Sequence, residues 1–436
     1  MDLKRSYGGH VANLQRAYER ALADAGLDAV VLHSGSLHPR SSFDDQFWSL
    51  RPTPHFQHWL PLAAPECALL VRAGQRPRLI WLRERNFWEN PAPPDSDHWQ
   101  SQFEIVYVEE AADARAHLFP SGRLAFLGED ERRAASWRLA DQMNPPELVK
   151  ALDRLRVIKS EYEILCLDEA NRRAAAGHHA VSAAFRDGDR SELDLHLLYL
   201  QTTAQDDPET PYKNIVALGA HAATLHHISY DKQAQHRPAE SLLLDAGAVY
   251  QGYCSDITRT FVKGSGAAQS TFAELVARVE GMQQRLCGEI AVGQPYERLH
   301  ERAHEEVGAI LAGAGVAKMS ADEAVASGVT RAFFPHGLGH SLGLQCHDVG
   351  CAEIKPKASN PFLRNTMTIA PGQVFTIEPG IYFIELLLGP LRASEPRIDW
   401  KLVDALQPLG GVRIEDDLHV LAGAPAQNLT RAHLPT

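Results

Sequence analysis

Short, continuous apolar runs alternate with amphipathic stretches over the first third of the chain. Residues 29–32, 68–71, 79–82 and 124–127 each read as a buried strand. Helical signals lie between such runs and around them, the clearest at 11–25. This is α/β patterning. Segments 35–56 and 84–98, rich in Pro, Asp, Asn and Trp, are expected to be long irregular loops, a type often functional in compact domains. A break at Asn144-Pro145-Pro146 leads into a long helical stretch, for which Ser160 with Glu161 and Glu163 predicts the N-cap and about Phe185 the end. A domain boundary is expected near residue 157, dividing 1–157 from 158–436. From Pro211 onward β-like runs dominate, at 213–219, 241–250, 253–263, 373–384 and 411–421, with helices near 267–290 and 295–313. The second part therefore reads as α+β with a mixed or antiparallel sheet.

Bulk properties narrow the function. A chain of 436 residues exceeds one ordinary core. With 44% hydrophobic and 22% charged residues it has a globular composition. A net charge of −12 offers no attraction to phosphate backbones or anionic lipid, so neither nucleic acid nor membrane is an expected partner. The first ten residues hold no apolar signal core, and no run is long enough to span a bilayer. Six scattered cysteines without a CxxC pair suit a reducing compartment, and a cytoplasmic location is expected.

Two short motifs invite simpler chemistry. His300-Glu301-Arg302-Ala303-His304 matches HExxH, but no third ligand follows at a suitable spacing. Leu299, Ala303, Val307 and Ile310 define that helix's apolar stripe, so His300 and His304 are expected at the surface beside it. Gly339-His340-Ser341-Leu342-Gly343 matches the GxSxG elbow of serine hydrolases, with His419 available downstream. That elbow needs a strand before it and a helix after it, and neither flank fits.

A larger constellation reads better. Around Asp245 and Asp256 the chain forms strand, turn and strand, with Gln251-Gly252 as a two-residue hairpin turn. That turn pairs Tyr250 with Tyr253, which puts the two aspartates diagonally on one face. Like carboxylates on an otherwise apolar hairpin repel each other unless a cation lies between them. Residues 335–348 crowd three histidines (His336, His340, His347) among three glycines, which lets imidazoles close around a small object. Glu378 ends an apolar strand, and Glu415 shares a strand face with Arg413. Two Asp, two Glu and one His form an oxygen-rich set that suits Mn²⁺ or Co²⁺ better than copper or structural zinc.

The blocks DAGAVYQGYCSDITRT, PHGLGHSLGLQCHD, TIEPGIYF and GGVRIEDD, with PYKNIVAL at 211–218, resemble the pita-bread metallopeptidases, and among them bacterial Xaa-Pro dipeptidases. The likeness covers nearly the whole chain. It implies a creatinase-like α/β N-terminal domain, serving dimerisation and active-site cover, followed by an α+β pita-bread catalytic domain. It implies Asp245, Asp256, His340, Glu378 and Glu415 as ligands of two divalent metal ions, Mn²⁺ foremost, with Co²⁺ or Zn²⁺ as alternatives. The non-catalytic relatives lose these ligands, and none is lost here. Asp256 and Glu415 would bridge ions ~3.5–4 Å apart around a hydroxide, with Glu378 as proton acceptor. His336 and His347 would assist the chemistry. His226 (or its neighbour His227), Tyr212, Arg364 and Arg413 would bind substrate, Arg364 through the terminal carboxylate. Asp45, in a loop ending at Trp48, would close the pocket, from the partner subunit of the homodimer that the likeness implies. An aminopeptidase P acting on longer peptides is the nearest alternative, and organophosphate hydrolysis a side activity. Ser341 stands where the family has Pro, and Cys346 where Val is usual; neither removes a ligand.

Overall fold

The computed structural model describes residues 3–83, 88, 98–118, 122–234, 239–350 and 354–435, so the expected loop at 84–98 lies almost wholly outside the described residues. The chain forms two compact units, Met1–Leu165 and Cys166–Thr436.

In the first unit a five-stranded sheet runs in the order Glu104–Val108, Arg78–Leu82, Ala68–Arg72, Ala29–His33, Leu124–Leu127. All four anticipated strands are there. Those at 29–33 and 124–127 are buried at every position, which is why they read as unbroken apolar runs. The fifth, Glu104–Val108, was not anticipated: it is a half-exposed edge strand whose mixed residues carry no clear period. The sheet is mixed, with Ala29–His33 antiparallel to Ala68–Arg72 and parallel to Leu124–Leu127. The helix Leu3–Asp24 begins earlier than its apolar period and buries Tyr7, Val11, Leu14, Tyr18 and Leu22. At the far end of this unit the expected cap forms. Ser160 N donates to Glu163 Oε2 at 2.7 Å and Glu163 N to Ser160 Oγ at 3.4 Å, opening the long helix Glu161–Asp187.

The second unit is antiparallel α+β, as expected. One sheet orders Thr258–Val262, Ser241–Asp245 and Ile215–Leu218; another orders Val374–Ile377, Asp416–His419 and Gln427–Asn428. A two-stranded ribbon pairs Gly380–Tyr382 with Gly411–Arg413, and a single bridge joins Thr258 to Glu415. The helices Ala267–Gly288 and Tyr296–Gly313 bury Phe272, Leu275, Val279, Leu299 and Val307 in one core with Phe375, Ile377, Ile381 and Val412.

That core corrects one expectation. His300 and His304 are not at the surface; they are 3% and 4% exposed and pack their rings on Phe334 at 5.8 and 5.1 Å. The helix is covered over a wider arc than its apolar stripe. Among the described residues the pair gathers no third metal-ligating side chain.

A buried polar brace ties the sheets to the helical layer. Arg259 donates to Asp416 Oδ1 at 2.7 Å and to the Glu415 carbonyl at 2.8 Å. Asp416 Oδ2 accepts from Gln283, Asn428 and Arg431 at 2.8–2.9 Å, so one carboxylate joins two strands, a helix and the C-terminal segment. Arg259 shares Asp416 with Arg431, so its removal breaks several charged hydrogen bonds without stranding the carboxylate, at a cost of about 1.5–3 kcal/mol. Arg259→Ala is therefore expected to lower the unfolding free energy of the second unit by that order in urea titrations. A loss below about 1 kcal/mol would show that the brace is not a stabilising element.

Candidate metal centre

The hairpin that presents the two aspartates forms in the expected register. Gln251 and Gly252 both take positive φ, 51° and 88°, the twist-matched two-residue turn. Tyr250 pairs with Tyr253, and further along Asp245 pairs with Thr258. Between them the strands cross closely: a Cβ at Gly247 would overlap the Ser255 carbonyl oxygen. The Tyr212 hydroxyl lies between the aspartates, 2.7 Å from Asp245 Oδ1 and 2.5 Å from Asp256 Oδ1.

The other candidate ligands arrive on neighbouring strands. Glu378 follows Val374–Ile377, and Glu415 sits between Gly411–Arg413 and Asp416–His419. Thr258 Oγ1 donates to Glu415 Oε2 at 2.6 Å. The glycine-rich segment lies against the first of these strands, where Thr376 N donates to the His340 carbonyl at 2.9 Å and Glu378 N to that of Leu338 at 2.8 Å. Gly339 permits the approach, since a Cβ there would overlap the Thr376 carbonyl. Ser341 is buried in this irregular segment, and no helix follows it, so the GxSxG elbow does not form.

His340 decides what the cluster can hold. Its Nδ1 faces the Ser341 carbonyl at 3.1 Å; a carbonyl only accepts, so the proton resides there. Nε2 faces Asp256 Oδ2 at 3.4 Å and Glu378 Oε1 at 3.5 Å, so once its own proton leaves, its lone pair is aimed at the space these oxygens share. Such a crowd of carboxylate oxygens around one imidazole calls for positive charge among them, either a proton on Nε2 or a cation in its place. Asp256, His340 and Glu415 each bring a ligand atom within 4.8 Å of the others. The donor set fits a hard or borderline divalent ion.

Without such an ion the charges are relieved by protons. Burial pushes Glu378 up to about 7, with His340 and Arg413 opposing it. Burial likewise raises Asp245 to about 6 despite Arg413, and it raises Glu415 well above the ordinary carboxylate range, with Asp256, Glu378 and Asp245 adding to the effect. For His340 burial acts downward, but Asp256 and Glu378 outweigh it and lift the imidazole to about 9. In the metal-free site the buried carboxylates are short of positive charge.

The remaining anticipated residues separate into two groups. Tyr212 and Arg413, expected on the pocket wall, are committed to the ligands. Arg413 is buried and donates to Asp245 Oδ2 at 2.6 Å, the Tyr382 hydroxyl at 2.9 Å and Thr258 Oγ1 at 3.1 Å. All three of its nitrogens are thus engaged within the cluster rather than presented to a pocket. His336 is held neutral by burial, with Nδ1 on the Gly337 carbonyl and Nε2 on the Tyr382 hydroxyl, both at 2.8 Å. His347 and Arg364 are exposed, and His347 stacks edge-on to His340 at 4.5 Å. Partial enclosure of its ring by the neighbouring side chains, then His340 and Arg364, lower the imidazole to about 4. His226 is exposed and near enough to bear on that imidazole, whereas His227 is bound to Glu192 at 2.9 Å. Asp45 belongs to the first unit and is exposed there.

Sequence reasoning missed Tyr382, Thr258 and Asp417. The Asp417 carboxyl, raised well above its ordinary value by burial and Asp256, accepts from the Asp256 backbone N–H at 3.1 Å and from Asn171 at 2.8 Å. The only signal was three consecutive acids, Glu415-Asp416-Asp417, in a strand-like run.

Residues 166–422 match the model of metallopeptidase family M24, and residues 5–154 that of the Xaa-Pro dipeptidase N-terminal domain. A protein of Pseudoalteromonas atlantica named Xaa-Pro dipeptidase is 38% identical, over 98% of either chain. One of Marinobacter nauticus with the same name is 42% identical, over 97% of this chain and 96% of its own. Among solved structures, Pseudomonas aeruginosa aminopeptidase PepP superposes with a TM-score of 0.74 at 22% identity, covering 98% of this chain and 96% of that one. Zinc-substituted E. coli aminopeptidase P gives 0.72 at 20%, over 98% and 95%; both likenesses are of fold. With its α/β N-terminal domain and pita-bread catalytic domain, the chain belongs to metallopeptidase family M24, alongside bacterial proteins named Xaa-Pro dipeptidase.

Proposed function

We propose that this metallopeptidase hydrolyses dipeptides with proline on the carboxyl side of the scissile bond, using two divalent cations, most in keeping with Mn²⁺. The convergence of His340 Nε2 with the Asp256, Glu378 and Glu415 carboxylates is the observation that carries the metal assignment. Asp245, Asp256, His340, Glu378 and Glu415 would hold the ions. The full-length relatives named Xaa-Pro dipeptidase support the substrate class. When bound, the cations supply Lewis acidity to the scissile carbonyl and an activated water.

The chain's own residues do the rest. Glu378 accepts the proton released by the attacking water. His336 has both ring nitrogens engaged, which leaves the exposed His347 to donate to the developing oxyanion or the leaving proline nitrogen. Arg364, exposed beside His347, takes the C-terminal carboxylate through a bidentate pair. Such a clamp favours dipeptides over longer chains, whose second residue carries no carboxylate. The same activated water would attack phosphorus, so hydrolysis of organophosphate esters belongs to the proposal as a side activity.

A homodimer completes the reading. Phe43 is 99% exposed and Trp48 59% exposed in the loop that also carries Asp45, a concentration of apolar surface that a second copy would cover. Asp45 would then serve the partner's pocket.

With Mn²⁺ added, the enzyme is expected to cleave Ala-Pro and to leave Ala-Pro-Ala intact. EDTA should abolish the reaction. Asp256→Asn should lower kcat/KM by more than the 10–100-fold typical of groups behind metal ligands, that is by above about a hundredfold. Cleavage of both peptides would move the assignment to an aminopeptidase P.

Cation affinity should rise with pH, because Glu378 at about 7 and Asp245 at about 6 must lose protons, and His340 must present a neutral nitrogen, before an ion binds. Calorimetry in two buffers of different ionisation enthalpy should register proton release on Mn²⁺ binding, largest below about pH 7. Affinity unchanged between about pH 5.5 and about pH 8 would contradict the assignment.

Sedimentation is expected to give twice the 48.1 kDa chain mass, and Phe43→Ser with Trp48→Ser to shift the species toward monomer. A monomeric parent protein would remove the dimer from the proposal.

A further inference from the structure

One carboxylate outside the metal centre is as fully engaged as any within it. Glu192, the first residue of the helix Glu192–Thr203, has no solvent exposure. Its Oε1 accepts from Leu218 N at 2.9 Å and from His221 Nδ1 at 2.7 Å. Its Oε2 accepts from Asp231 N at 2.8 Å and from His227 Nε2 at 2.9 Å. The two imidazoles stack at 4.4 Å over the carboxylate they share, and Leu193 N returns a bond to the Asp231 carbonyl at 3.1 Å. Both ends of the 219–231 segment, and two side chains inside it, thus converge on one buried anion.

Simpler roles do not account for this. The helix is already capped by a reciprocal Ser191–Asp194 box, so Glu192 is not needed as a cap. A first-turn acid would ordinarily face water and interact only with the helix dipole. Glu192, His221 and His227 do bring ligand atoms within 4.8 Å of one another. However, the carboxylate's lone pairs already hold four N–H donors, two of them backbone, so the cluster is closed as a clasp. Burial acts to raise the Glu192 pKa, but the Leu218 and Asp231 N–H groups and the two histidines outweigh it and keep the carboxyl below its ordinary value. The anion is held ready-made.

The segment so gripped carries His226, which is exposed next to the clasped His227, as are Thr224, Ile228 and Ser229. We propose that Glu192 is a positioning residue, gripping the 219–231 segment from beneath so that His226 stands at a fixed place facing His347 and the substrate. This rests on the reading of His226 as a substrate contact. The carboxylate touches no reacting group; it acts through the backbone on either side of His226 and through the neighbouring imidazole.

The test is a double-mutant cycle on the full-length, Mn²⁺-loaded enzyme with Ala-Pro. Glu192→Gln keeps the size but turns one end of the group into a donor, breaking two of the four bonds. It is expected to raise KM about tenfold with kcat within about twofold, and His226→Ala to raise KM similarly. The double variant should be no worse than His226→Ala alone, since a misplaced histidine and a missing one are lost only once. His227→Phe, which keeps the ring stack and loses the bond to Glu192, should reproduce the effect more weakly and serves if Glu192→Gln does not fold. A melting temperature that falls while KM stays at the parent value would make Glu192 merely structural and overturn the proposal. Multiplying KM effects in the double variant would overturn it too. A silent His226→Ala would instead remove the substrate role of His226 and the proposal with it, whereas an impaired His226→Ala beside a silent Glu192→Gln would sink the proposal alone.

Discussion

Four carboxylates and an imidazole withdrawn from water into one cleft of the second unit are the condition to which the surrounding structure answers. Unrelieved, such charges repel each other and resist desolvation. The protein supplies two kinds of relief. Fixed donors supply the first: Tyr212 and Arg413 reach the two oxygens of Asp245, Tyr212 and the Cys346 thiol those of Asp256, and Thr258 one oxygen of Glu415. Each oxygen keeps a lone pair beyond these bonds, and ligand atoms of Asp256, Glu415 and His340 converge within 4.8 Å of one another, which is where further positive charge belongs. The protein's own donors therefore satisfy the site only in part, and the carboxyl groups left short of positive charge are the ones raised.

Holding that arrangement demands a rigid frame, and the frame is antiparallel β-structure tied by a second set of buried polar bonds. Three consecutive acids illustrate how environment divides labour among identical chemistry. Glu415 joins the metal-ligand candidates, Asp416 is neutralised by Arg259 and Arg431, and Asp417, raised well above its ordinary value by burial and Asp256, accepts the Asp256 backbone N–H. Removing Arg259 would thus disturb Glu415 through its own carbonyl. Stability and ligand geometry rest on the same network, so the two are not separable by substitution here.

The two short motifs fail for a related reason. A five-residue pattern specifies spacing, while chemistry needs direction and surroundings. His300 and His304 do share a helix face, but that face meets Phe334 in the core. Ser341 does lie between glycines, but the glycines serve to press the segment onto the Val374–Ile377 strand and to aim His340.

Local pattern was enough to find what depends on near neighbours. The buried strands at 29–33 and 124–127, the Ser160 cap, and the Gln251-Gly252 turn with its register all follow from residues a few positions apart, and the turn alone put Asp245 and Asp256 on one face. The edge strand Glu104–Val108 escaped because an edge that is wet on one side and partly covered on the other has no clean period. What joins distant segments was not legible. That Arg413 turns inward to Asp245, that His227 and not His226 is tied to Glu192, and that Asp417 stands behind Asp256 are consequences of pairings spanning 35 to 168 residues. The sequence by itself determined which side chains were available and which local faces they shared. Only the tertiary structure decided which of them meet, because in a buried site each polar group must find a partner, and the partners come from elsewhere in the chain.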